Sequence, residues 1–150
     1  MTANKKKFHL TIIGDTVDKE YERYLHSLIL EYGLVTSVTF LGYQSNIYKW
    51  YNNADVFVLS SRYEGFPNVV LEALYCKTPV LANNCKGGVN EIVINGKNGF
   101  LFDFEHKNFE EKLSLTVQTN FDLNAIKTDI ANRFGIETIM KLYNELMEAE

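Results

Sequence analysis

Residues 60–74 read SSRYEGFPNVVLEAL. The apolar run Val56–Leu59 leads into this stretch, the turn-rich Glu64–Asn68 lies inside it, and an amphipathic segment continues from Val69 to about Cys76. That is a strand, a loop and a helix, with one carboxylate in the loop (Glu64) and one in the helix (Glu72). In open α/β sheets, ligands bind beyond the carboxyl ends of strands, where such loops lie. A helix start also offers unpaired N–H groups and the positive end of a dipole to an anion. Pro67 suits the first helical position, because its missing N–H would have no helical partner there. Glu72 lies about 7–8 Å further along the axis, at roughly 1.5 Å per residue. The stretch is therefore expected to hold a ligand with phosphate near the helix start and hydroxyls near two acids that flank one pocket.

Strands and helices alternate on both sides of it. Phe8–Gly14 is a short apolar run ending in a Gly-Asp turn. Lys19–Tyr32 carries Tyr21, Tyr24, Leu25, Leu28 and Ile29 at helical spacing, with Gly33 placed to end it. Val38–Leu41 is a second strand, Asn46–Asn53 a short helix and Ala54–Leu59 a third strand. Further on, Pro79–Ala82 and Gly99–Phe102 read as strands around a helical turn at Gly88–Val93. Helices follow at Phe109–Val117, Leu123–Asn132 and about Ile136–Met147. This alternation predicts an α/β domain over residues 1–150: a doubly wound, mostly parallel sheet with helices on both faces.

Size and composition suit one soluble domain: 150 residues, 46% hydrophobic and 23% charged. The net charge of −4 gives no support to nucleic-acid binding. Lys5, Lys6 and Lys7 read as a solvated approach to the first strand. Cys76 and Cys85 fit no metal or disulfide framework and suggest a reducing, cytoplasmic setting. No run approaches the ~18 apolar residues of a membrane span, and no signal peptide is visible. His9, His26 and His106 fall on different elements and are expected to be packed or surface residues.

The segment Glu64–Leu74, continuing through TPVLA (Thr78–Ala82) and GGVNEIVINGKNGFLF (Gly87–Phe102), resembles the Glu-x7-Glu pattern of retaining GT-B glycosyltransferases of the group 1 (family 4) class. The matches run from Ala54 to Phe102 without a gap and extend more loosely over the whole chain. The resemblance implies the Rossmann-like, donor-binding C-terminal half of a GT-B fold. It implies transfer of a sugar from a nucleotide diphosphate sugar to an acceptor hydroxyl with retention, in polysaccharide or glycolipid synthesis. It assigns Glu64 to hydroxyls of the donor sugar, as the catalytic-site acid, and Glu72 to the ribose. Gly65, Phe66, Pro67, Asn68 and Val69 would line the donor site. Gly14, Asp15 and Tyr43 would line the cleft near the base. No metal or other cofactor is expected, since the Asp-x-Asp motif of the other main glycosyltransferase fold is absent.

Plainer readings stand beside these. Glu64 could be an acid favoured by the helix dipole, and Glu72 a solvated helical Glu. Phe66 could be a core anchor, Asn68 an N-cap, and Gly14-Asp15 a structural turn. Tyr43 could be a surface aromatic, and Arg62 is expected to form an outward salt bridge. Gly87 and Gly88 resemble the family's flexible cleft loop. Thr78 stands where the family commonly has Gly, a departure expected to change only loop packing.

Family members usually begin this domain with one more strand, followed by a loop bearing an Arg and a Lys that neutralise the donor's diphosphate. Nothing here matches that unit or the acceptor-binding domain. The expectation is a truncated domain, or a chain whose partner supplies the rest. The edges of Phe8–Gly14 and Val56–Leu59 should then pair directly, be covered, or accept a strand, giving a rearranged sheet or a homodimer. The full enzyme could be peripheral to a membrane. The competing reading is a non-catalytic binding or assembly module that works through a partner chain.

Overall fold

The computed structural model describes residues 8–148, so the lysine run 5–7 lies outside it. The chain divides into two compact units, Met1–Ile47 and Tyr48–Glu150.

In the first unit, β1 (Leu10–Ile12) pairs in parallel with β2 (Val38–Phe40), Leu10 opposite Val38 and Ile12 opposite Phe40. The crossover is α1 (Lys19–Glu31). Its start is fixed by Asp18, whose carboxylate accepts the amides of Glu20 and Tyr21, both at 2.9 Å. Its end is a Schellman turn: Gly33 adopts φ +66°, and the Leu34 and Gly33 amides return to the carbonyls of Ile29 and Leu30. No described residue of this unit is fully buried, and Leu10 on β1 is 49% exposed. His9 bonds Thr39 and His26 lies against the Phe40 ring, both as expected of structural histidines.

The second unit holds the core. Its elements are α2 (Tyr48–Tyr51), β3 (Phe57–Leu59), α3 (Asn68–Tyr75), β4 (Val80–Asn83), α4 (Val89–Ile92), β5 (Gly99–Phe102), α5 (Phe109–Gln118), α6 (Leu123–Phe134) and α7 (Ile136–Glu148). The sheet order is β3-β4-β5, all parallel. β4 is buried at every position, which is why PVLAN reads as a continuous apolar run rather than an alternation. Val70, Ala73 and Leu74 of α3, Val89 and Ile92 of α4, Ile126 and Ile130 of α6 and Phe102 of β5 complete this core. α3 packs against α6, and α5 packs on β5 and β4. Gly99 is required where it stands, because a Cβ there would lie 2.0 Å from the Val80 carbonyl oxygen. The buried Asn98 shapes the turn into β5, accepting from the Ile94 amide and donating to the Ile92 carbonyl.

The parallel α/β fold is as expected, with one modification. The sheet comes in two parts, β1-β2 and β3-β4-β5. β1 pairs with β2 within the first unit, and β3 with β4 within the second. A second correction is local. Pro67 is the N-cap of α3 and Asn68 its first residue, so neither Pro67 at the first helical position nor Asn68 as a cap is observed.

Candidate functional site

The site is built from the β3–α3 connection. Beyond Leu59 the chain leaves the sheet and is stitched to the loop that follows β4. Asn83 Nδ2 donates to the Ser61 carbonyl at 2.9 Å, the Glu64 amide to the Lys86 carbonyl at 3.2 Å, and the Gly88 amide to the Gly65 carbonyl at 3.2 Å. Tyr63 and Lys86 form an isolated parallel bridge. These contacts make Gly87 and Gly88 structural partners of the acidic loop. Gly87 sits at φ +117°, and a Cβ there would fall 1.8 Å from the Glu64 carbonyl oxygen. A Cβ at Gly88 would lie 2.7 Å from the Phe66 ring. The glycine pair, read in the sequence as a cleft loop, therefore sets the backbone of Glu64 and Gly65.

Glu64 is half-buried, with Gly65 and Phe66 exposed beside it. Phe66 is 46% exposed and leans on Phe134 at the end of α6, ring centroids 6.0 Å apart. It is a partly exposed residue rather than a core anchor. Pro67 is buried, Asn68 and Val69 are exposed, and no side chain caps α3. The Asn68 and Val70 amides already donate to the Phe66 and Pro67 carbonyls, each at 3.0 Å. Arg62 is exposed, and among the described residues it forms no ion pair, contrary to the outward salt bridge expected of it.

One turn into α3, Glu72 is half-buried and accepts a hydrogen bond at Oε2 from the Tyr51 hydroxyl, 3.3 Å away. Tyr51 is 5% exposed, the last residue of α2, and its ring meets Phe57 edge-on at 5.4 Å. The buried Thr78 hydroxyl donates to the Tyr51 carbonyl at 2.6 Å. Burial, and next the Glu72 charge, push the Tyr51 phenol well above its ordinary value, so it stays a neutral donor. Sequence reading missed both Tyr51 and Thr78 as members of the site. The Tyr51–Glu72 contact spans 21 residues, and no local pattern announces it.

Gly14, Asp15 and Tyr43 do come together, in the first unit. The Gly14 amide donates to the Gly42 carbonyl at 2.9 Å, and the Tyr43 amide to Asp15 Oδ1 at 3.1 Å. Gly42 adopts φ +63° beside that carboxylate. Asp15 thus pins the loop after β2, while the Tyr43 ring is 73% exposed.

Two open depressions lie elsewhere, and neither is lined by a predicted site residue. One of about 470 Å³ lies at the opposite end of α3, between Cys76, Lys77 and Pro79 and the α5–α6 connection. The other, about 410 Å³, lies in the first unit between α1 and β2. The pocket expected between Glu64 and Glu72 is neither of these. Both cysteines are free thiols, and burial pushes the Cys76 thiol up. Among the described residues no group of His, Cys, Asp or Glu is arranged to hold a metal ion, and no helix is long and apolar enough to cross a membrane.

Residues 1–129 match the family model described as "Glycosyl transferases group 1". An uncharacterized glycosyltransferase of Haemophilus influenzae is 34% identical over 147 residues, 93% of this chain and 40% of that one. The amylovoran biosynthesis glycosyltransferase AmsD of Erwinia amylovora is 28% identical over 97% of this chain and 41% of its own. The crystal structure of Anabaena Alr3699/HepE in complex with UDP superposes with a TM-score of 0.81 at 26% identity, over 95% of this chain and 41% of that one. The same protein has been solved with UDP-glucose. This chain spans no more than about two fifths of the length of these proteins.

Proposed function

We propose that this chain, which belongs to the group 1 glycosyl transferases and has the GT-B donor-domain fold, carries the nucleotide-sugar site of a retaining transferase acting in polysaccharide or glycolipid synthesis. The observation that carries the reading is the β3–α3 unit. It presents two acids on one connection, each held from outside: Glu64 through Gly87 and Gly88, and Glu72 through Tyr51. The UDP and UDP-glucose complexes of HepE support a uridine diphosphate sugar as the donor class.

In this reading Glu72 accepts the ribose hydroxyls, and Glu64 accepts hydroxyls of the sugar. The start of α3, which no side chain caps and where the Asn68 and Val70 amides donate to backbone carbonyls, would turn the positive end of its dipole toward the diphosphate. Catalysis would come from placement and from stabilising the departing phosphate, with no covalent step on the protein. Glu64 orients the sugar while the departing phosphate helps deprotonate the acceptor on the same face. Residues 1–150 span about two fifths of the proteins they match, so in this reading they should show negligible transfer by themselves, and a rate like that of a two-domain enzyme would contradict the proposal. The acceptor site would belong to the rest of a cytoplasmic, membrane-peripheral enzyme.

The test is a calorimetric or NMR titration of the chain with UDP-, GDP- and ADP-sugars. Glu72→Ala should weaken every nucleotide it binds by about 1.5–3 kcal/mol, the worth of a hydrogen bond to a charged group. Glu64→Ala should remove only the increment that the sugar adds over the bare nucleotide. Unchanged binding in both variants would remove the site.

A further inference from the structure

We propose that Tyr51, held in turn by Thr78, is a positioning residue that fixes the Glu72 carboxylate for a vicinal diol, the ribose of the donor; this rests on the donor-site reading above. A glutamate on a helix surface has three side-chain torsions, and a ligand that needs one setting must bear the cost of ordering it. Tyr51 bears that cost beforehand. Its hydroxyl donates to Glu72 Oε2 at 3.3 Å, and its ring is confined by burial and by the edge contact with Phe57. Its backbone is confined as well, since Thr78 Oγ1 donates 2.6 Å to the Tyr51 carbonyl from a fully buried position. The turn before β4 thus holds the Tyr51 backbone, and Tyr51 of α2 in turn holds the carboxylate on α3.

The chemistry of the pair suits a diol. An ionised carboxylate offers about four lone-pair sites and no proton. A phenol occupies one of them without neutralising the charge. The remaining sites can accept the two O–H groups of a diol. A neutral tyrosine does this better than a lysine, whose charge would compete for the same anion. The buried phenol keeps its proton, so the arrangement persists across the neutral range.

A plain structural staple between α2 and α3 would make the same hydrogen bond, so the test has to separate the two. The chain is titrated with UDP, with GDP and ADP in parallel, and with the 2′,3′-dideoxy form of whichever nucleotide binds. Tyr51→Phe keeps the ring packing and buries no orphan. It should weaken the ribonucleotide about 3- to 10-fold, the range of one ordinary hydrogen bond, and leave the dideoxy nucleotide within error. In a Glu72→Ala background the same change should have no effect. Thr78→Val should weaken the ribonucleotide in the same direction and less. Equal weakening of both nucleotides by Tyr51→Phe, or none, overturns the proposal, even if thermal stability falls. Failure of the unmodified chain to bind any nucleotide removes the donor-site reading and the positioning role with it. Binding that is sensitive to Glu72→Ala and indifferent to Tyr51→Phe removes the positioning role alone.

Discussion

Gly87 and Glu64 show how far a motif residue depends on one outside the motif. Replacing Gly87 by alanine sets a methyl group against a backbone oxygen, at a positive φ that L-residues avoid. The loop after β3 must then shift. Gly87→Ala should cost about 2–3 kcal/mol of stability, read as a midpoint shift in urea, since it combines backbone strain with overpacking. If the proposed donor site is right, the remaining folded fraction should lose selectivity among sugars before it loses affinity for the nucleotide. A variant as stable as the parent would mean that the 86–88 loop is not seated on Glu64. The two acids were legible in the sequence because a strand, a turn cluster and a helix frame them within a dozen residues. Tyr51, Thr78 and the supporting role of Gly87 were not, since each acts across the fold on a partner that only the packed structure brings near. Arg62 shows the opposite error: an exposed cation was assigned an ion pair that its surroundings do not supply.

At the scale of elements, nearly every strand and helix could be placed from periodicity, and the residual errors sit at ends. The one-residue shift at Pro67 is an example, since a proline is tolerated both at the cap and just inside it. The C-terminal end of α3 carries a strain of a different kind. Lys77 adopts φ +67°, the left-handed setting that glycine fills at a helix end. Lys77→Gly should raise stability by about 0.5–1 kcal/mol, the left-handed penalty less the extra freedom glycine has when unfolded. Its surface bond to Asn124 would be lost at little cost. A lower melting temperature would refute this.

On α6, Asp129 bonds Lys97 and Arg133 at 2.9 and 3.0 Å, and Arg133 also donates to the Glu91 carbonyl. Burial pushes the Asp129 carboxyl up, but the two cations outweigh it and hold it below its ordinary 3.8. A carboxyl lowered on folding stabilises the native state above its unfolded value, and that support is lost as pH falls through the depressed one. Asp129→Asn should therefore cost about 0.5–1.5 kcal/mol at pH 7 and almost nothing in strong acid. A cost that does not diminish as the pH is lowered from 7, measured by denaturant titration, would show that packing rather than charge is responsible.

For the molecule as a whole, the two units are built to different standards. The second buries β4 completely, whereas no described residue of the first is fully buried. Two short parallel strands and one helix are marginal by themselves. In native-state hydrogen exchange, the amides of β1 and β2 should open at lower free energy than those of β4 and β5. Equal protection would show that the first unit draws support its own residues do not provide. The α/β class could be read from the sequence because alternation survives any division of the sheet. The division was partly legible: Phe8–Gly14 and Val56–Leu59, singled out in the sequence as edges, fall in separate sheets, whereas which strand each edge pairs with is not written in its composition.

The seating of the glycine pair under Glu64 also bears on how such enzymes could be re-engineered. A graft that carries residues 60–68 of a relative into this chain would bring a new carbonyl path onto an old support. The smallest transplantable piece is the acidic loop together with residues 84–88. If the proposed donor site is right, donor preference would then be exchanged in paired segments, or not at all.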